Sequence, residues 1–293
     1  MIVIKLSKTA CTACLFSTAI IWGLAFVAQR VGADYMSPFT FNGVRFMLGS
    51  VSLIPVILIL ERGQAADNKV TFWAGAGGGI ILFLASSLQQ FGVEMTGSAG
   101  KAGFLTGLYT VLVPMLGRFL GRKVRMLTWI GAVSAVIGLY LLSVPDWGSM
   151  EPGDIVLVIG AFFWAGHIIF IDRFVNRIKV ISFSMIQFFT CGLLSVICAF
   201  LFENVTLAGI NAGIIPLLYG GLLSAGVAYT LQSVGQKGVE PAKAAIILSL
   251  EAIFSAIGSA VILNERLSPR GYAGCAFIFA GIIASQINTT TTT

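Results

Sequence analysis

Charged residues are scarce in this sequence. Asp, Glu, Lys and Arg make up only 10% of its 293 residues, whereas soluble domains carry about 25%. Hydrophobic residues reach 57%, and the mean hydropathy is +0.94. This composition excludes a soluble globular fold and predicts an integral membrane protein.

Histidine and cysteine are too rare for a metal centre. His167 is the only histidine, and the CxxC pair Cys11 and Cys14 has no second pair at the spacing of a zinc site. All five cysteines are therefore expected to be small buried hydrophobic residues. We expect no metal and no cofactor.

The motifs of ATP hydrolysis and of common hydrolases are also missing. The stretch GAGGG, residues 75–79, lacks the Lys-Ser/Thr ending of a phosphate-binding loop and lies within an apolar segment, so close helix packing explains it better. No HExxH motif and no paired catalytic carboxylates occur. The sequence predicts that the protein is not an enzyme and does not itself hydrolyse ATP.

Long apolar segments follow one another from end to end. Each has about the 20 residues that an α-helix needs to cross about 30 Å of hydrocarbon. We predict ten transmembrane helices, at residues 10–31, 37–60, 71–93, 98–117, 126–144, 154–174, 180–202, 210–235, 241–263 and 269–287. The fold class is all-α, with a single transmembrane domain over residues 1–293. The first segment is too long for the apolar region of a cleaved signal peptide.

Basic residues fall mainly on one side of these helices. With the N-terminus in the cytoplasm, 13 of the 18 lie in cytoplasmic segments: Lys5, Lys8, Arg62, Lys69, Arg118, Arg122, Lys123, Arg125, Arg173, Arg177, Lys179, Lys237 and Lys243. The loop with Asp146, Glu151 and Asp154 has no cation, as the positive-inside rule expects outside. We predict a multi-pass protein of the bacterial inner membrane with both termini cytoplasmic. The net charge of +6 then reflects orientation in the lipid bilayer and not binding to nucleic acid.

The sequence contains an internal repeat. FSTAIIWG at residues 16–23 aligns with VIGAFFWAG at residues 158–166, which places Trp22 over Trp164 at an offset of 142 residues. The same offset, or one residue more, relates Arg45 to Gln187, Gln89 to Gln232, Gly131 to Gly274 and Gly138 to Gly281. The shared offset indicates two copies, at about residues 10–144 and 154–287.

Each copy contains five helices, and an odd number makes the second copy enter the membrane from the opposite side. Inverted repeats provide two related halves that can open a central site to one side and then to the other. The sequence therefore predicts a transporter that works by alternating access.

Two stretches carry a family resemblance over essentially the whole chain. LSLEAIFSAIGSAVILNERLS at residues 248–268 and GFLTGLYTVLVPMLGRFLGRKVR at residues 103–125 resemble the ends of the two repeats in the EamA family of the drug/metabolite transporter superfamily. The sequence departs from that pattern at Ala252, at Asn264 and at residues 121–123. The resemblance implies a ten-helix transporter of small metabolites, with helices 5 and 10 peripheral and the others around a central cavity.

Polar side chains form stripes on two predicted helices. They are Tyr229, Gln232, Ser233 and Gln236 on helix 8, and Ser86, Gln89 and Gln90 at the equivalent positions of helix 3. Inversion of the repeat predicts that the two stripes face opposite mouths of a pathway. The alternative is that these side chains only hydrogen-bond neighbouring helices.

Glu251 is a carboxylate in the middle of an apolar segment, where a charge costs about 3 kcal/mol. It shares a helix face with small or polar residues, namely Ala244, Ser255, Gly258 and Ser259, and is expected to face inward. His167 can exchange a proton near neutral pH and could face Glu251 across the cavity, which leaves proton coupling open. Both side chains could instead be structural and simply hydrogen-bonded.

The remaining candidates are one cation and three aromatic residues. Arg45 lies about two turns into helix 2 and either snorkels to the interface or binds a substrate carboxylate near the outer mouth. Trp22, Tyr109 and Trp164 lie near the midplane and are candidate contacts for an apolar or aromatic substrate, or simply pack. Lys101 and Lys243 are predicted to be interfacial anchors.

The predicted function is a secondary transporter of amino acids or related metabolites, with export implied by the resemblance. The alternatives are a broad-specificity exporter of drugs or lipid-like compounds and, from other classes, a structural membrane subunit or an intramembrane enzyme. The expected partners are a small-molecule substrate and the bilayer, and the protein is expected to be a monomer or homodimer.

Overall fold

A computed structural model describes residues 7–61, 67–97, 99–143, 151–262 and 268–287. All regular structure within these ranges is helical. Eight spans in this part of the chain are long and apolar enough to cross a membrane, and Met126–Leu142 is a shorter apolar helix. The protein is therefore an all-α, multi-pass membrane protein built from two inverted five-helix repeats.

The first copy contains α1 (Lys8–Gly32), α2 (Pro38–Leu60), α3 (Asn68–Thr96), α4 (Ala99–Gly107), α5 (Tyr109–Phe119) and α6 (Met126–Ser143). The second contains α7 (Pro152–Phe174), α8 (Val180–Phe202), α9 (Leu207–Ala212), α10 (Ile214–Leu218), a π-helix (Tyr219–Tyr229), α11 (Thr230–Gly235), α12 (Pro241–Leu248), α13 (Glu251–Ile262) and α14 (Pro269–Gln286). In both copies the fourth membrane segment is divided into two helices, which are α4 and α5 in the first and α12 and α13 in the second.

Three segments that the sequence predicts as continuous helices are interrupted. The segment at 98–117 breaks at Leu108, the one at 241–263 breaks at Ser249 and Leu250, and the one at 210–235 contains the π-helix. Leu108 and Leu250 are apolar and Ser249 is a single small polar residue, so the hydropathy of the segments does not reveal the breaks. Short-range hydrogen bonds, such as Leu250 N to Ile247 O at 3.2 Å, satisfy the backbone there.

The N-terminus of α2 is held by a carboxylate from α8. Ser37 at the N-cap position makes no capping bond with its side chain. Glu203, just after α8, accepts hydrogen bonds from Phe39 N and Thr40 N, each at 2.7 Å, and from the Thr40 hydroxyl. The carboxylate satisfies free N–H groups at the positive end of the helix dipole.

The N-terminus of α8 is held in the same way by a carboxylate from α2. Glu61 accepts hydrogen bonds from Ile181 N at 2.7 Å, from Ser182 N at 2.9 Å and from the Ser182 hydroxyl. The two carboxylates and their donors are related by the repeat offset of 142 residues. The antiparallel helices α2 and α8 therefore cap each other, one at each end of the pair.

Helices α6 and α14 meet through four glycines. A Cβ on Gly131 would lie 2.5 Å from the carbonyl oxygen of Gly281, and a Cβ on Gly138 would lie 2.5 Å from that of Gly274. Gly131 is equivalent to Gly274 in the repeat, and Gly138 to Gly281. Gly131 thus contacts the repeat equivalent of Gly138, and Gly138 contacts the repeat equivalent of Gly131. A two-fold axis between antiparallel helices produces this pattern.

The glycine-rich stretch at residues 75–79 serves close packing, as predicted. A Cβ on Gly75 would lie 2.7 Å from the side chain of Ile186, and a Cβ on Gly79 would lie 2.5 Å from that of Thr190. Both contacts are made with α8. The missing side chains allow α3 and α8 to approach closely.

The first two helices of each copy pack against helices of the other copy. Helix α1 packs along the π-helix, α11, α12 and α13 of the second copy, while α7 packs along α3, α4 and α5 of the first. Helix α2 likewise joins the π-helix, and α8 joins α3. The result is a first bundle of α1, α2 and α9–α14 and a second bundle of α3–α8, joined along the α2/α8 and α6/α14 contacts.

The glycine contact between α6 and α14 is expected to tolerate no side chain. Gly131→Val should lower the free energy of unfolding by about 1–3 kcal/mol, because the added carbons meet a backbone carbonyl that has no room to move. Gly166→Ala is the control, since a Cβ on Gly166 meets nothing within 4 Å. Thermal unfolding in detergent compares them, and equal stability of both variants would contradict the assigned contact.

Candidate functional site

A cavity that encloses about 440 Å³ of space, including open solvent at its mouth, lies between the two bundles. It is lined by Trp22, Ala25, Phe26, Gln29, Arg45, Gln89, Thr106, Tyr109, Trp164, Ile168, Ser224, Tyr229, Gln232 and Glu251. Tyr109 and Glu251 are the first residues after the helix breaks. Irregular backbone at membrane depth is tolerated where it is buried or lines a cavity.

Most of the candidate residues predicted from sequence come together here. Eight of the nine line the cavity: Trp22, Arg45, Gln89, Tyr109, Trp164, Tyr229, Gln232 and Glu251. They come from both copies and from eight helical elements. The remaining candidate, His167, does not line it.

Three aromatic rings form one wall of the cavity. The ring centroid of Tyr229 lies 4.5 Å from that of Trp22 and 6.1 Å from that of Trp164. Trp22 also donates from Nε1 to the carbonyl oxygen of Ser224 at 3.3 Å, which fixes its indole against the π-helix. The wall offers apolar faces to a ligand, while its polar atoms lie at the edges.

Tyr109 and Glu251 form a buried pair on another part of the lining. The tyrosine hydroxyl donates to Glu251 Oε1 at 2.9 Å, and the side chains are related by the repeat offset of 142 residues. Glu251 begins α13, so its carboxyl lies at the positive end of that helix. The prediction of one continuous helix at 241–263 is therefore wrong, and the break at Ser249 and Leu250 helps to accommodate the carboxyl.

The polar stripes of the predicted helices 3 and 8 contribute side chains to the same cavity. Gln89, Tyr229 and Gln232 reach one common cavity. Gln90 donates to Gln29 O at 3.2 Å, and Gln236 donates to Ile168 O at 2.9 Å. The stripes are therefore split, because only one side of each helix reaches the cavity while the adjacent side packs between helices.

The two cavity glutamines differ in their hydrogen bonding. Gln89 donates from Nε2 to Gln29 Oε1 at 2.9 Å. Gln232 is buried, and neither its amide nitrogen nor its amide oxygen has a partner among the described residues. Gln232 thus offers a donor and an acceptor to a ligand.

His167 lies behind the aromatic wall. It is fully buried, and its Nε2 lies 3.0 Å from Gln187 Oε1. Its ring packs edge-on against Trp164 and Tyr229. The prediction that His167 faces Glu251 across the cavity is wrong. His167 lies three residues after Trp164 on α7, and its side chain points to Gln187 of α8.

Arg45 does not snorkel. The side chain is only 2% exposed, and its guanidinium carbon lies 5.2 Å and 4.7 Å from the ring centroids of Phe41 and Phe46. Gly220 of the π-helix has no Cβ and leaves room for the arginine stem. Helix α2 packs between α8 and the π-helix, so this face is turned inward and not to lipid.

Sequence reasoning missed several lining residues. Gln29 lies seven residues after Trp22, on the same face of α1, and Thr106 lies three residues before Tyr109. These spacings are visible in the sequence, whereas Ser224 is brought in by the π-helix. Lys243 is half-buried near the start of α12, and the side chains of Lys101 and Ser259 lie outside the described part of the structure.

No group of three or more His, Cys, Asp or Glu side chains that could hold a metal ion occurs among the residues that the structure describes. The cavity instead combines an aromatic wall, amides, one carboxyl and one guanidinium. This combination of apolar and polar groups is the one that sites for small organic molecules use.

Comparison with known proteins agrees with this architecture. The model of the EamA-like transporter family matches residues 10–144 and again residues 151–285. An uncharacterized transporter of Archaeoglobus fulgidus is 31% identical over 269 residues, which cover 90% of this chain and 82% of that protein. A probable amino-acid metabolite efflux pump of Escherichia coli is 23% identical, over 90% of both chains. One crystal structure superimposes with a TM-score of 0.80 at 19% identity, over 96% of this chain and 97% of that one.

The hydrogen bond between Tyr109 and Glu251 is expected to stabilise the interior. Tyr109→Phe should lower the free energy of unfolding by about 1–3 kcal/mol, because it removes the donor to a buried carboxyl. Adding Glu251→Gln should cost less than the sum of the two single changes. Tyr272→Phe, at a residue that is 65% exposed, is the control and should change nothing. Strict additivity would show that the pair is not coupled.

Proposed function

The chain belongs to the EamA-like transporter family, and we propose that it is a secondary transporter that exports small metabolites, amino acids or related compounds, by alternating access. The observation that carries the proposal is a cavity at the meeting point of two inverted repeats. Its lining includes equivalent positions of both copies: Trp22 with Trp164, Phe26 with Ile168, Gln89 with Gln232 and Tyr109 with Glu251.

Equivalent lining residues suit a site that opens alternately to two sides. In an inverted repeat, each bundle can adopt the conformation that the other has left, so the same cavity faces first one mouth and then the other. The aromatic wall and the Tyr109–Glu251 pair then contact the substrate in both conformations. Helices α2 and α8, which cap each other, and α6 and α14, which share the glycine contact, are the places where the bundles can pivot.

Glu251 is proposed to act in transport and not only in packing. It lines the cavity, and a carboxyl there can take up a proton or bind a substrate amine. The E. coli relative named as a probable amino-acid metabolite efflux pump supports a substrate of that class. The absence of nucleotide-binding motifs from the sequence supports facilitated or ion-coupled transport.

The direct test is flux into and out of proteoliposomes across a panel of amino acids, related metabolites, cationic drugs and lipid-like compounds. Saturable, competed transport of an amino acid or related metabolite supports the proposal. Transport of only drugs or lipid-like compounds would replace it with the broad-specificity exporter. No transport of any compound by well-folded protein would refute it.

Glu251→Gln is expected to impair transport while the protein still folds, because the amide keeps the shape of the side chain but cannot titrate. The wild-type flux should depend on pH, and the variant should be slower and less dependent on it. Glu94→Gln, at an exposed position near the end of α3, is the matched control. Wild-type flux with unchanged pH dependence in the Gln variant would make the carboxyl structural.

Orientation is tested with two exposed asparagines in a variant without native cysteines. Asn204, after α8, is proposed to lie outside the cell, and Asn176, after α7, is proposed to lie in the cytoplasm. In intact cells an impermeant maleimide should label Asn204→Cys, and it should label Asn176→Cys only after permeabilisation. The reverse pattern would invert the proposed topology.

A further inference from the structure

Arg45 is a buried cation without a polar partner. It donates no hydrogen bond, and no carboxylate lies within 4 Å of it among the described residues. Its Nε is fully buried without an acceptor among these residues, and burying an N–H donor without an acceptor is costly. The rings of Phe41 and Phe46 attract its charge but accept no conventional hydrogen bond from it.

The second copy shows what fills the equivalent place. Gln187 is the repeat equivalent of Arg45, and His167 is the equivalent of Ala25. His167 and Gln187 are both fully buried and are hydrogen-bonded to each other at 3.0 Å, while His167 Nδ1 and Gln187 Nε2 have no partner among the described residues. In the first copy the methyl group of Ala25 can neither fill that space nor accept a hydrogen bond from Arg45.

Two further buried donors without partners line the same cavity. They are Trp164 Nε1 and Gln232 Nε2. With Arg45 Nε, the lining holds three buried N–H donors without a partner in the described part of the chain and one such acceptor, Gln232 Oε1. A ligand with anionic oxygen atoms would supply the missing acceptors, and a guanidinium can bind a carboxylate through two parallel hydrogen bonds.

We propose that the cavity contains a carboxylate-binding subsite at Arg45, beside Ala25, that selects substrates carrying a carboxylate. This inference rests on the proposed function and deepens it, because it names the group of the substrate that one residue recognises. The substrate carboxylate pairs with the guanidinium, while the apolar body of the substrate packs on the aromatic wall. The two copies therefore differ here: Arg45 of the first copy binds the substrate, whereas Gln187 of the second copy is hydrogen-bonded to His167.

The test measures binding to purified protein with L-leucine and L-leucinamide, which differ in the carboxylate. Leucine should bind the wild type about tenfold or more tightly than leucinamide, since a charged hydrogen-bonded contact distinguishes them. Arg45→Gln should weaken leucine binding to the level of leucinamide and leave leucinamide unchanged. Arg45→Lys should retain part of the preference, because it keeps the charge but not the fork.

The double variant Ala25→His with Arg45→Gln is the control for packing, because it copies the His167 and Gln187 pair into the first repeat. It should fold normally and lose the preference for leucine. Inorganic phosphate is measured in parallel, and an Arg45-dependent binding of phosphate without binding of leucine would show a site for free anions and overturn the inference.

Two other results would also overturn it: no binding of leucine to the wild type, or an equal loss for leucine and leucinamide in Arg45→Gln. The proposed function fails separately. If compounds without a carboxylate are the only ones bound and transported, the protein is a transporter but the subsite is wrong. If no compound is transported, the transport proposal falls and the binding ratio still decides the subsite.

Discussion

The hydrocarbon core of a membrane offers no water to the backbone, so each N–H and C=O group there must find a partner within the protein. This constraint determines where the chain is irregular. The breaks at Leu108 and at Ser249–Leu250 lie in the interior beside the cavity. Where the N-terminus of a helix lacks a local cap, a carboxylate at the end of another helix accepts its N–H hydrogen bonds. Glu61 does this for α8, and Glu203 does it for α2.

Because the repeat is inverted, the helix breaks of the two copies meet at a central site. Because equivalent segments break at equivalent places, Tyr109 and Glu251 meet at the centre with a hydrogen bond of 2.9 Å. The functional groups of the site are found where the two copies carry different residues. A hydroxyl faces a carboxyl at that pair, and an unpaired arginine stands in one copy where the other has a glutamine bonded to a histidine.

Much of this architecture could be predicted from the sequence, because it depends on length, hydropathy and spacing. The ten segments, their pairing at an offset of 142 residues and the polar residues within apolar helices are all visible there. The breaks and the π-helix could not be predicted, because they change the conformation of the backbone without changing the hydropathy of the segment. The position of His167 behind the wall depends on helix rotation, which is set by packing against α8 and not by the local pattern.

Alternating access is tested most directly by distances between spin labels across the two bundles. One pair joins Tyr35 to Met95, and its repeat equivalent at the other face joins Arg177 to Lys237; all four positions are exposed. When a transported substrate or a pH gradient shifts the conformation, one distance should lengthen while the other shortens. Two distances that stay fixed, or that change in the same direction, would contradict a cavity that opens to one side at a time.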